Sequence, residues 1–487
     1  MRAPRLTPHR VLRGLTAAAM VAVISPAAAS SSAGALYAGP IPQAGCDAGS
    51  LPETGISGRV SSADVTSGRA AKGYRCNTQQ VGHFGATGGF QVHRYVDHAG
   101  HECAYFDSTL LFPKDAATNA AEGVGVYAMD MSHPAHPVHT ATLSTPAMLS
   151  PHESLRLSAA RGLLVADMGY PSTNPGFVDV YDVKADCRHP VLRSSTPLGI
   201  LGHESAFSRD GKTFYVTSAS GPTVSAVDLT DPAKPSVVGL ILGHQIHGMS
   251  VSDDGTRLYA ADIGDPGLTI FDVSQIQHRA AVPQVSVVSH LTWPQVSIPQ
   301  NALPVTIRGK HYLVEVDEYT SNTTRGIPGY DPKAQVGAAR MIDISNEKAP
   351  RVVSNMRLAV NNTAARAGDS RNDPGAQNTA QGYAGHYCAV PQETDPTIIA
   401  CSFIVSGLRL FDIKDPVHPR ELGYFNGPVT SAGTPAKAGN FAMSAPAFAP
   451  ARHEVWYTDG NSGFYVVRLT GAALAAQDPK SAAVRRR

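Results

Sequence analysis

Apolar and polar residues alternate in short runs along this chain, and many of the runs end on the same phrase. TVSAVDLTDPAKPSVVGLI from Thr223, GLTIFDVSQI from Gly267 and GLRLFDIKDPVHPRELGYF from Gly407 each place an apolar run before an Asp; the first and third continue through a Pro-containing turn into a second run. Weaker copies start at Gly123, Val178, Ala339 and Gly463, which makes seven units. Their anchor positions are Asp130, Asp182, Asp228, Asp272, Asp343 and Asp412, with Arg468 standing in the last. A period of two in short runs bounded by turn residues is the signature of β-strands, so each unit supplies two strands.

Two more strands precede them. HESAFSRDGKTFYVTS from His203 and HGMSVSDDGTRLYAAD from His247 place Asp-Gly, a tight hairpin signal, between alternating segments. Self-similar units of four strands predict an all-β, seven-bladed β-propeller, because one such unit cannot bury its apolar faces alone. With the strands named A to D, the blades fall at about 85–143, 148–199, 203–242, 246–290, 296–358, 385–425 and 441–470. The last unit stops after its C strand. Gln80-Val81-Gly82-His83-Phe84 repeats the D-strand phrase Leu422-Gly423-Tyr424-Phe425, so an N-terminal strand is expected to close the ring and remove an open edge.

The phrase of apolar run, Asp, Pro turn and further strand resembles the LVIVD-repeat proteins, exported bacterial seven-bladed propellers, and the Asp-Gly hairpins resemble those of YVTN-type propellers. The resemblance covers roughly residues 148–470. It implies architecture and an exported location, and it brings no catalytic residues with it.

The N-terminus adds a compartment. Arg2, Arg5, Arg10 and Arg13 precede an apolar stretch from Gly14 to Ile24 and then Ala27-Ala28-Ala29, the order of a Sec-type secretory signal. The expected organisation is a signal peptide at 1–29, an N-terminal extension at 30–77, the propeller at 78–470 and a C-terminal tail at 471–487. No apolar stretch is long enough to span a bilayer, so no transmembrane anchor is expected. The exported chain has six cysteines, which suit disulfides. Antiparallel pairing about the turn Gln392–Pro396 sets Cys388 opposite Cys401. Cys46, Cys76, Cys103 and Cys187 allow three pairings, of which Cys46 with Cys76 closes the shortest loop.

Composition bears mainly on partners. Forty Lys and Arg against 39 Asp and Glu leave a formal charge of +1, so no basic excess points to nucleic acid. Gly 45 and Pro 36 fit a turn-rich fold.

The candidate chemistry lies at one mouth of the channel. His152, His203, His247 and His386 open the A strands of four blades, where Asn301 and Met443 stand in two others. Glu153 and Glu204 follow two of the histidines. B strands end on the same face with Asp107, Asp167, Asp262, Asp317 and Asp459, and register about Asp254-Gly255 sets His247 opposite Asp262. Imidazoles and carboxylates converging on one pocket are the ingredients of a zinc or transition-metal site, so His152, His203, His247, His386, Asp262 and Glu204 are the candidate ligands. The competing reading is that these histidines bond neighbouring blades together. No phosphate loop, dinucleotide fingerprint, nucleophile elbow or zinc-protease helix is present.

Two functions follow. The leading one is a secreted binding or scaffold protein that presents the ring to a protein, glycan or cell-wall ligand. The alternative is a metal-dependent oxidase or hydrolase with its centre at the channel mouth. Long polar loops at Pro113–Gly123, Tyr319–Gly337 and Ala359–Gly385 are expected on the same face.

Overall fold

The computed structural model describes residues 39–108, 122–169, 175–218, 221–294, 296–319, 336–362, 364–365, 375, 382–429 and 440–477. The segment expected as a signal peptide, most of the three long loops and residues 478–487 lie outside the described residues. Seven antiparallel sheets follow one another along the chain, and together they form a seven-bladed β-propeller. Blade three shows the pattern: A is Ser205–Phe207, B Thr213–Ser218, C Thr223–Asp228 and D Ser236–Leu242. Neighbouring A strands meet as parallel bridges, Glu153 with Glu204 and Gln91 with Ala445.

The apolar clusters lie between adjacent blades rather than inside one, and the largest also takes in Ile41, Val60 and Tyr74 from the residues before the ring. Tyr105, Leu155, Leu164 and Val183 join blades one and two; Phe106, Met129, Trp456 and Phe464 join blades seven and one. The alternating runs therefore bury both faces of each sheet.

The repeated Asp has a local task. Its carboxylate accepts the backbone N–H two residues on, from Ser132, Lys184, Thr230, Ser274, Ser345 and Lys414 in blades one to six. That bond turns the chain out of strand C, which is what Asp does well at a turn. Arg468 in the last blade instead pairs with Glu454 at 3.0 Å.

Thr78–Phe84 pairs with Gly463–Leu469 and supplies the fourth strand of blade seven, closing the ring as its sequence predicts. The residues just before it do more than lead in. Tyr74–Cys76 adds a fifth strand to blade six, against Tyr424–Asn426. Glu53 reaches the fully buried Arg409, which also holds Glu421 at 3.0 Å and lies over the Tyr424 ring.

Three disulfides form: Cys388–Cys401 across the hairpin of blade six, Cys46–Cys76, and Cys103–Cys187 between blades one and two. Among the described residues no helix is long and apolar enough to cross a membrane.

A histidine and carboxylate centre on the propeller axis

The register of three A strands breaks where the candidate residues stand. In blade four Ile246 opposes Asp262 and Met249 opposes Ala260, so two residues, His247 and Gly248, face one across the bulge. His247 therefore does not sit opposite Asp262, which corrects the regular register read from the sequence. Blade six repeats the device between Gly385 and Cys388, and blade five between Pro299 and Asn301. A bulge re-aims the side chain it carries. Here it turns His247, His386 and Gln300 toward the axis.

The four histidines meet there. His152 and His203 have ring centroids 4.6 Å apart, and His203 and His247 are 4.9 Å apart. Phe90, just before strand A of blade one, packs on His152 at 4.3 Å and His386 at 5.5 Å. Glu153 lies in the middle. Its Oε2 is 3.3 Å from Nε2 of both His203 and His247, and its Oε1 is 3.1 Å from Nε2 of His386. Nε2 of His203 and of His247 are 3.0 Å apart. Glu318 of blade five approaches His386 at 3.5 Å. Since blades one to six contribute side chains and Met443 of blade seven contributes a carbonyl, the centre lies on the axis.

Outer partners fix the rings. Nδ1 of His247 is 3.2 Å from the Pro299 carbonyl, and Nδ1 of His386 bonds the Met443 carbonyl. Each ring thus spends Nδ1 on backbone and points Nε2 inward, the orientation that serves a metal ligand. His152 is held with φ 53°, a strained region for a residue with a β-carbon and one that often marks a functional site.

The charges are arranged around Glu153. Burial raises the tendency of its carboxyl to hold a proton, but His247, His203 and His386 outweigh burial and keep it well below the usual range. Burial would also lower both His247 and His386; Glu153 reverses this for His247, to about 9, and Glu318 with Glu153 reverse it for His386, to about 10. His152, buried and facing His203, is pushed well below its ordinary value and stays neutral.

Glu204 takes a different place from the one its sequence position suggests. It sits behind the rings, bonded by Arg156 at 2.8 Å and by Asn301. Burial pushes its carboxyl up to about 7 against the pull of Arg156. It fits only because residue 248 is Gly: a β-carbon there would lie 1.9 Å from Glu204 Oε2. Asp262 makes its contacts elsewhere, accepting from the Gly264 and Asp265 amides and Thr269, with His244 at 3.5 Å.

The structure therefore brings His152, His203, His247 and His386 together and leaves Asp262 apart. The sequence pattern does not mark Glu318 or Phe90, nor that Glu153 is central; the repeated His-Glu pair at 152–153 and 203–204 is the available signal.

Two other features are poorer sites. Asp97, His101 and Asp186 cluster between blades one and two, but their carboxylates already serve Arg188 and the Cys187 amide. A cavity of about 650 Å³ opens on the opposite face between blades four and five, where Arg257, Tyr259 and Glu347 are bonded to one another.

No known protein-family model matches the sequence, and no curated protein matches it either. Solved structures share its fold. A putative 6-phosphogluconolactonase from Bacteroides uniformis aligns at 12% identity over 73% of this chain and 88% of its own, with TM-score 0.50. A periplasmic gluconolactonase from Pseudomonas aeruginosa aligns at 15% identity over 72% and 96%, with TM-score 0.47. At this identity the likeness is of the β-propeller fold alone. Propellers host unrelated functions, so any activity must be argued from the site.

Proposed function

We propose that this chain is an exported, LVIVD-type propeller enzyme whose axial centre binds one transition-metal or zinc ion and uses it to oxidise or hydrolyse a small molecule. One observation carries the reading: His203 Nε2, His247 Nε2 and Glu153 Oε2 stand 3.0, 3.3 and 3.3 Å from one another. Donors bound to one ion at about 2.0–2.2 Å are separated by about that much. Two imidazoles and a carboxylate suit non-haem iron and catalytic zinc alike. His386, within 3.1 Å of Glu153, is placed to join or replace the carboxylate.

Bound there, the metal would supply an activated water or an oxygen-activating centre. The residues do the rest. Pro299 and Met443 carbonyls hold two rings in one tautomer. Phe90 and the blade walls exclude water. His203, whose side chain is 14% exposed, marks the side from which a substrate enters. Three disulfides suit the exported compartment.

Elemental analysis of untagged protein, purified and then offered iron, copper and zinc salts, tests the reading. One metal per chain is expected, lost in His203→Ala/His247→Ala. Iron or copper would direct assays to oxidation, and zinc to hydrolysis. A folded wild type that takes up none of the three would end the enzyme reading and leave a binding scaffold.

A further inference from the structure

We propose that two copies of this chain associate by pairing the outer strand of blade three, Ser236–Leu242, with the same strand of the second copy, antiparallel across a two-fold axis. The argument comes from comparing two blades of one molecule. Every sheet ends at the rim in a D strand, and in blade six that edge is covered by the chain itself. Tyr74–Cys76 pairs with Tyr424–Asn426, and Tyr424 and Asn426 are 0% exposed.

Among the described residues, blade three has the same edge without a covering strand. In both D strands a bulge precedes a glycine: Gly423 opposes Leu410 and Gly239 opposes Ala226. The register therefore equates Tyr424, Phe425 and Asn426 with Leu240, Ile241 and Leu242. Leu240 is 53% and Leu242 65% exposed, and the sheet ends there. Exposed edges normally carry a charge or a proline that discourages pairing. Ser236–Leu242 carries neither, and although the rim strands of blades one and four also lack both, they place Thr142 and Ser144, and His290 and Thr292, where blade three presents Leu240 and Leu242.

The occupant that fits is the same edge. An uncharged strand offers no complementary charge to select a foreign partner, while an antiparallel pair centred on Ile241 sets Leu240 of one copy against Leu242 of the other, twice. Such an interface is self-complementary, as two-fold dimers require. The pairing lies beyond the bulge and is as long as the strand that covers blade six. Val191, Leu192 and Val287, exposed on the flanking rims, extend the apolar surface.

Light scattering with size exclusion, and sedimentation velocity, on the mature oxidised protein from about 1 to about 100 µM read the outcome, since a dimer depends on protomer concentration. The wild type should become dimeric within that range. Leu240→Lys/Leu242→Lys should remain monomeric throughout with unchanged circular dichroism and melting. Val138→Lys, at an exposed site on the rim of blade one, should still dimerise. Leu240→Gln/Leu242→Gln provides the same test should the lysine pair disturb folding. A wild type that is monomeric at every concentration, or a dimer that survives both double variants, overturns the proposal.

Discussion

Replacing Glu153 with Gln would leave His247 and His386 facing each other across a neutral amide in a buried site. Breaking a buried ion pair from one side costs about 3 to 5 kcal/mol, so E153Q should melt well below the wild type and fail to retain metal. Glu204→Gln keeps an acceptor for Arg156 and removes only a group whose proton affinity is already raised, so its melting temperature should change far less. A second test concerns His93, in strand A of blade one, whose Nε2 is 2.8 Å from the Leu155 carbonyl. Burial, with Arg156 nearby, lowers its proton affinity to about 4 against an ordinary value of 6.5. A depressed folded-state value means its contribution is complete above about pH 6.5 and is lost as the pH falls through about 4. His93→Gln, which can still donate to Leu155, should therefore flatten the acid limb of the stability curve by up to about 3 kcal/mol, read by urea melts at pH 7, 5 and 4. That histidines open the A strands was legible in the sequence. Which carboxylate they share was not, because Glu153 and Glu204 occupy equivalent sequence positions and differ only in what surrounds them.

At the scale of elements, bulges and borrowed strands decide what the repeats leave open. A regular hairpin puts His247 opposite Asp262; one extra residue moves the imidazole to the axis instead, and nothing in the period-two pattern marks that residue. Cys388 and Cys401 lie on the turn side of their bulge, so the same counting gives their register correctly. Cys388→Ser/Cys401→Ser should cost about 2 to 3 kcal/mol, because the loop it closes is short. Peptide mapping of the unreduced wild type should find these two residues joined. Removing residues through Phe84 should expose the edge of blade seven and cause aggregation. A chain beginning at Thr78 would keep that strand while losing the cover of blade six, the Cys46–Cys76 disulfide and the Glu53 partner of Arg409. Light scattering during thermal melts separates the two truncations: the longer deletion should aggregate at lower temperature.

On the scale of the whole molecule, seven sheets that each bury two faces against their neighbours make a ring whose axis collects one strand from every blade. This geometry explains why residues some forty positions apart in sequence can form one centre. Opening the ring should scatter them, so the variant lacking Thr78–Phe84 is expected to lose metal uptake together with its fold, even though it keeps every proposed ligand; elemental analysis of whatever remains soluble checks this. The sequence by itself determined the strands, their grouping in fours, the number of blades, the strand that closes the ring and one disulfide. Each of these follows from alternation, turn residues or local counting, and all are short-range. Only the tertiary structure decided the other two disulfides, the covering of blade six, the central place of Glu153 and the separation of Asp262. Those depend on bulges that shift a register by one residue and on contacts between blades far apart in the chain, and neither leaves a periodic mark in the sequence.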